Sequence, residues 1–469
     1  GMTINRVTTA VLFLLSALVA TSSVSKSLGA KRSSVAKFEW QTSSLISHLT
    51  NGPETGEPMR FLAELCDDYG PRQVGSTNLE KAIDFVVSTL RQDGFDNVHT
   101  EKVGNLPYWI RGDDKVEMIE PRHHKFNVLA VDGSPSGFVE GEAIVVRSYG
   151  ELARMNYAGK IVVVAEPYYG YGRSWQLRSA ARVLGERGAL AVLLNSAAPM
   201  SLYTPHTGNG ARGSRIPSLS ITTEEAEMLA RLYERKKRIV LRLDVRSRDM
   251  PYKTSSRNVV FEIKGSKKPS EIVLISAHID SWDVGQGAVD DGGGIAAIRS
   301  AMRAIKELGD RDERFRPSRT IRGVFFTAEE QGYLGAKAYD DAHKSDNIIL
   351  AAETDQGAFR PRLANSTFKF MGDSRQQLRI EAIAAQLTAQ NIPMRVNYSD
   401  SQGDIYNLAQ PRNIPAVNFV PDKGSDNFYF RYHHSQADYV SVFEEGDLEY
   451  TAAVFAAMAN IIANQDDWR

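Results

Sequence analysis

The run Glu271-Ile272-Val273-Leu274-Ile275-Ser276-Ala277, followed by His278-Ile279-Asp280, decides how the rest of the chain is read. It is an apolar strand, and from it the sequence settles into strict alternation. A helix is predicted over Gly292–Leu308, a strand over Thr320–Thr327, a helix over Gly332–His343 and a strand over Asn347–Glu353. Helix Gln376–Gln390, strand Ala416–Val420 and a last helix Asp447–Asn464 complete the series. Strands and helices taken in turn imply an α/β fold with a mostly parallel central sheet flanked by helices.

Upstream the pattern differs. From about Lys37 to Gly94 it is helical; Thr77 and Glu80 have capping-box spacing, and Ile83, Val86, Val87 and Leu90 form one apolar face. Between about Phe126 and Val245 come short β-rich runs: Glu142–Val146, Lys160–Ala165, Ala189–Leu194, Ser218–Ile221 and Ile239–Leu243. Two helical segments, Ser174–Gly188 and Thr222–Tyr233, lie among them, and the stretch holds no acidic or histidine cluster of metal-ligand type. The simplest architecture is one catalytic domain in two parts, 36–122 and 251–469, split by a β-rich insertion over 123–250. Ahead of these, Gly1 reads as an expression scar. Arg6, the apolar run Ala10–Ala20 and the small residues Thr21-Ser22-Ser23 have the layout of a signal peptide over 1–23. That run is too short to span a bilayer comfortably, so an exported protein is expected, periplasmic or extracellular and free of the membrane after signal removal.

Bulk composition narrows the chemistry. With 469 residues, 42% apolar, 24% charged and a formal net charge of −1, the chain offers no electrostatic reason to bind nucleic acid. Its one cysteine, Cys66, excludes an intrachain disulfide and a thiolate cluster, and sits in an amphipathic stretch as a core residue. A metal would therefore be held by histidine and carboxylate.

Such residues recur where ligands collect in open α/β sheets, at the carboxyl ends of strands. His278 and Asp280 follow the first strand, Glu329-Glu330 the second and Asp355 the third. Asp290-Asp291 stands in a glycine-rich turn opening a helix, and Tyr432-His433-His434 leads to Asp438 near the end. Singly each has an ordinary structural explanation; jointly they point to a metal site. Imidazole and carboxylate bind zinc at about 2.0–2.2 Å, and two metals roughly 3.5–4 Å apart need a shared carboxylate. Histidine ligands also need a partner on the second ring nitrogen; Asp280 is expected to serve His278, and Asp438 to serve His434.

These residues resemble the signature of the co-catalytic di-zinc aminopeptidase/carboxypeptidase family. Longer strings resemble its carboxypeptidase Q-like branch: Asp280-Ser281-Trp282-Asp283-Val284-Gly285-Gln286-Gly287, Asn78–Ile83, Pro205-His206-Thr207-Gly208 and Thr327–Gly332. The resemblance runs from about Leu62 to the C-terminus. It implies two zinc ions bridged by Asp290, with His278 and Asp355 completing one and Glu330 and His434 the other. Glu329 would be the general base, and the insertion a protease-associated-type domain over the active site. It also implies a homodimer and a peptide substrate, cut at a terminal bond or as a dipeptide by a metal-activated water. Asp404, His206, Tyr432 and His433 are candidates for substrate contact. The alternatives are a broad-specificity aminopeptidase of the same fold and a glutaminyl cyclase-like transferase.

Overall fold

A computed structural model describes residues 34–362, 365–421 and 428–468, so the leader expected over 1–23 lies outside the described residues. The central sheet has eight strands. Their spatial order is Asp96–Leu106, Thr254–Ile263, Arg319–Phe326, Lys268–His278, Asn347–Thr354, Ala416–Val420, Ser366–Met371 and Met394–Tyr398. Lys268–His278 lies parallel to both its neighbours, and Asn347–Thr354 is parallel to Ala416–Val420. The opening run is apolar at almost every position because helices cover both faces. Val273, Ile275 and Ala277 join the larger core with helices Gly293–Arg311 and Asp447–Asn464. Ile272 and Leu274 join a second cluster with Ala336, Tyr339, Ile405 and Leu408.

The margins are less regular than the alternation predicts. Asp96–Leu106 and Thr254–Ile263 pair antiparallel with each other, and Thr254–Ile263 pairs antiparallel with Arg319–Phe326. Ser366–Met371 runs antiparallel to Ala416–Val420. The Thr254 strand shows no strand pattern in sequence because its first half is polar, and those side chains have partners. Ser256 Oγ donates to Glu80 at 2.7 Å, and Asn258 Nδ2 to the Gly335 carbonyl at 2.9 Å. The same engagement corrects the capping box. Helix Thr77–Gln92 is capped by Ser76, whose hydroxyl accepts from Leu79 N, while Glu80 is drawn to Arg257 at 2.9 Å. Cys66 is buried, and burial pushes its thiol up to about 12.

The inserted region builds a second eight-stranded sheet. Lys115–Glu120 pairs in it with Val240–Val245, so this sheet starts ahead of the boundary expected at 123. The helix expected over 174–188 divides at Ser179 into Ser174–Arg178 and Ala180–Glu186. Polar contacts fix this unit against the catalytic domain. Arg111 grips Asp283 with both carboxylate oxygens, at 2.8 and 3.0 Å from Nε. Thr207 N donates to the His434 carbonyl (2.8 Å), Asn209 Nδ2 donates to the Glu330 carbonyl (2.8 Å), and His206 bridges to Ser435.

Candidate metal centre

Each candidate ligand stands at or beside the end of a regular element. His278 ends its strand, Glu330 and Asp355 follow theirs, Asp290 sits in the turn before helix Gly293–Arg311, and His434 follows the short helix Tyr429–Tyr432. The turn closes on Gly287, whose φ is +61°, and a Cβ there would meet the Ser281 side chain at 2.4 Å. Arg72, fully buried, clamps the approach by donating to the carbonyls of Ile279, Gln286 and Gly287, each at 2.8 Å.

Asp290 stands between the two histidines. His278 Nε2 is 2.9 Å from its Oδ1, and His434 Nε2 is 3.2 Å from its Oδ2. Asp355 Oδ1 is 3.0 Å from His278 Nε2, and Glu330 Oε2 is 3.1 Å from His434 Nε2. Donor atoms of His278, Asp290 and Glu330 lie within 4.8 Å of one another, as do those of His278, Glu329 and Asp355. Two triads thus share His278, with Asp290 and Glu330 in one and Glu329 and Asp355 in the other.

Nitrogen and oxygen donors in this arrangement suit a divalent cation of the zinc type, and the charge balance asks for one. Burial, then the charge of Asp355, holds the carboxyls of Glu329 and Glu353 well above the usual range. Burial and Asp290 push Glu330 up to about 7. Asp290 goes the other way: its burial is outweighed by hydrogen bonds from His278 and His434, which hold it well below the ordinary value. Burial would lower both histidines, yet the acids around them raise both well above 6.5. Buried Glu330 Oε1 lacks a hydrogen-bond partner among the described residues, which a buried oxygen tolerates poorly without a cation.

The orienting groups differ from expectation. His278 Nδ1 is 2.9 Å from the backbone carbonyl of Asp280, with the carboxylate farther away at 3.6 Å. That carboxylate instead accepts from Glu329 N (3.1 Å) and Glu330 N (3.2 Å), so Asp280 positions the turn that carries Glu329 and Glu330. Asp438 does not reach His434. It accepts from Val289 N (2.6 Å) and Asp290 N (3.2 Å), because the Gln286–Asp290 turn folds over it. His434 Nδ1 faces the Thr207 carbonyl at 3.0 Å and the Tyr171 hydroxyl at 3.2 Å, both from the insertion. Asp280→Ala should remove the anchor of the Glu329-Glu330 turn and lower metal affinity or kcat about 10–100-fold. Metal titration beside steady-state kinetics checks this; wild-type values in both would contradict the role.

A cavity of about 910 Å³ opens over the centre, lined by Glu329, Asp355 and His434 from the catalytic domain and by Tyr171, Arg178 and Asn209 from the insertion. His433 lines it too, with neither ring nitrogen bonded among the described residues. Tyr432 does not: its ring packs on Phe428 at 4.9 Å, and Tyr429 and Phe430 take its place in the wall. His206 lies behind His433, ring centroids 6.2 Å apart, and burial with the nearby charge of His434 lowers it to about 3. Asp404 opens helix Asp404–Arg412, but Gly403 holds the cap position, and the Asp404 carboxyl lies buried beside Glu353. Sequence reasoning missed Glu353, Arg72 and the insertion's Tyr171, Thr207, Arg178 and Asn209. The string Pro205–Gly208 was the one available signal for the last group.

Comparison with known proteins settles the family. The sequence profile described as "Peptidase family M28" matches residues 258–459. Mouse carboxypeptidase Q is 37% identical over 446 residues, which is 92% of this chain and 91% of that protein. The chain belongs to peptidase family M28. Human carboxypeptidase Q is likewise similar, at 38% identity over 436 residues, 90% of this chain and 89% of that protein. Among solved structures, a peptidase M28 precursor from Shewanella amazonensis superposes with a TM-score of 0.83 at 27% identity, covering 92% and 98% of the two chains. A zinc aminopeptidase from Bacillus subtilis shares the fold, with a TM-score of 0.65 at 18% identity over 86% and 93%. As an M28 member this chain is a metallopeptidase, and its α/β fold is that of its relatives.

Proposed function

We propose that the protein is an exported di-zinc exopeptidase that hydrolyses dipeptides or terminal peptide bonds, with Glu329 as general base. The observation that carries this reading is the position of Asp290, which turns one carboxylate oxygen to His278 and the other to His434. His278 and Asp355 would hold one zinc, Glu330 and His434 the other, and Asp290 both. Zinc there supplies Lewis acidity for the scissile carbonyl and lowers the pKa of water at the site.

The chain's own groups supply the rest. Glu329 stands at the cavity with its carboxyl pushed toward the proton-bearing form, and cations at the site would bring it back toward a carboxylate able to accept a proton. It takes the proton of the attacking water and returns it to the leaving amine, the two halves of general acid–base catalysis. The insertion fixes His434 through Thr207 and Tyr171 and walls the cavity, so it belongs to the site as a protease-associated-type cover. Export, read from the leader layout over 1–23, and a homodimer, implied by the carboxypeptidase Q-like resemblance, belong to the same reading.

The test is a zinc-supplemented assay of a free dipeptide, its N-acetylated form and a C-amidated form, with and without chelator. Chelation is expected to abolish cleavage of the free dipeptide and zinc to restore it. Absence of cleavage of every form by the zinc-loaded protein would contradict the reading.

A further inference from the structure

One wall of the cavity belongs to the central sheet itself. In strand Ser366–Met371 the side chains of Phe368 and Phe370 enter the larger core, so Lys369 between them points to the opposite face. Its neighbour in register is Asn418 on strand Ala416–Val420, and beyond that comes Glu353 on strand Asn347–Thr354. Glu353, Asn418 and Lys369 thus form one polar row across three strands, and all three line the cavity. Lysine is common on edge strands, where it blocks pairing with another chain. That explanation fails here, because Ser366–Met371 is paired on both sides, with Met394–Tyr398 and with Ala416–Val420.

The row leaves the ammonium unmatched. Lys369 is half-buried, has no ion-pair partner among the described residues, and burial alone lowers it below the usual lysine range. Glu353 is already engaged: one oxygen accepts from Asp404 N at 3.2 Å and the other from Asn418 Nδ2 at 3.4 Å. Asn418 is held as well, its Oδ1 accepting from Gln402 N at 2.9 Å and its Nδ2 donating to the Gln402 carbonyl at 3.2 Å. A cation partly withdrawn from water without a counter-ion is costly to hold, so an anion is the expected complement. Lys337, which lines the same cavity, is exposed and makes no such demand.

Position along the sheet says which half of a substrate comes here. Glu329, the group that returns a proton to the leaving amine, follows strand Arg319–Phe326 on one side of Lys268–His278. Lys369 lies on the other side, two strands beyond Asn347–Thr354, a displacement of roughly 10 Å. The leaving half of a peptide held at Glu329 therefore leads away from this wall, and the half that keeps the carbonyl faces it. We propose that Lys369, with Asn418 beside it, receives an acidic side chain on the residue N-terminal to the scissile bond and so sets a preference for amino-terminal glutamate or aspartate. This deepens the exopeptidase reading and rests on it.

The experiment measures kcat/KM for leucine release from Glu-Leu and Gln-Leu, which match in shape and differ in charge. Leu-Glu and Leu-Gln carry the same pair after the scissile bond. The proteins are zinc-loaded wild type, Lys369→Met, Lys369→Arg and Lys337→Met. Wild type is expected to favour Glu-Leu over Gln-Leu by about 10-fold, and Lys369→Met to erase that preference. Lys369→Arg, which keeps the charge, should retain most of it, and Lys337→Met should keep it whole. The proposal is overturned if wild type cleaves Glu-Leu and Gln-Leu alike, if Lys369→Met keeps the preference, or if Lys337→Met loses it. It is equally overturned if only the Leu-Glu to Leu-Gln ratio responds to Lys369. Calorimetric binding of Glu-Leu and Gln-Leu to the zinc-loaded Glu329→Gln protein, with and without Lys369→Met, reads the charge preference apart from turnover. A binding preference for Glu-Leu that disappears with Lys369 would uphold the receptor even if wild type cleaved nothing, an outcome that would remove the peptidase reading alone.

Discussion

Glu329→Gln should retain the zinc content of the parent and lose about 10²–10⁴-fold in kcat, the usual contribution of a general acid–base. Glutamine keeps the shape of the side chain and its place at the cavity, but its amide cannot accept and return a proton at neutral pH. The turn beneath it is held from the backbone, because Asp280 accepts from the amides of residues 329 and 330. The substitution therefore removes the proton acceptor while leaving the scaffold. Glu329 also belongs to the triad with His278 and Asp355, so metal content must be measured beside the rate. Full zinc with wild-type turnover would remove Glu329 from the reaction. Loss of zinc together with turnover would make it a ligand instead.

Asp290→Ala is expected to have the other large effect. This carboxylate stands 2.9 Å from His278 Nε2 and 3.2 Å from His434 Nε2, so its removal takes an oxygen from beside each histidine. Zinc should be lost from both positions and turnover should fall to background. A ligand that binds only the folded state stabilises it by about 4 kcal/mol at a free concentration 1,000-fold above Kd. Wild type should therefore show a zinc-dependent rise in Tm that chelator reverses, and Asp290→Ala should show little of it. Differential scanning calorimetry with and without zinc reads this. An undiminished zinc response in the variant would show that the sites do not share Asp290.

Much of this site was legible in sequence for one physical reason: strand ends in a parallel sheet converge. His278, Glu330 and Asp355 follow three adjacent parallel strands, so residues 25 to 77 positions apart meet within a few ångströms. The orienting contacts were not legible, because proximity along the chain is a poor guide there. Asp438, four residues from His434, serves the amides of Val289 and Asp290, while the partner of His434 is Thr207 from another unit. Contacts of that kind follow from docking of the insertion, which leaves no periodicity in the sequence. The antiparallel margins were hidden for a related reason. The strand beginning at Thr254 is polar where its side chains meet Glu80 and Gly335, so it lacks the apolar run that marks its neighbours.

The central claim is a pair of zinc ions sharing one carboxylate, and elemental analysis of the zinc-loaded, extensively dialysed wild-type protein tests it most directly. Two zinc equivalents per chain are predicted. One equivalent, the number expected of a glutaminyl cyclase-like transferase, or none would contradict it.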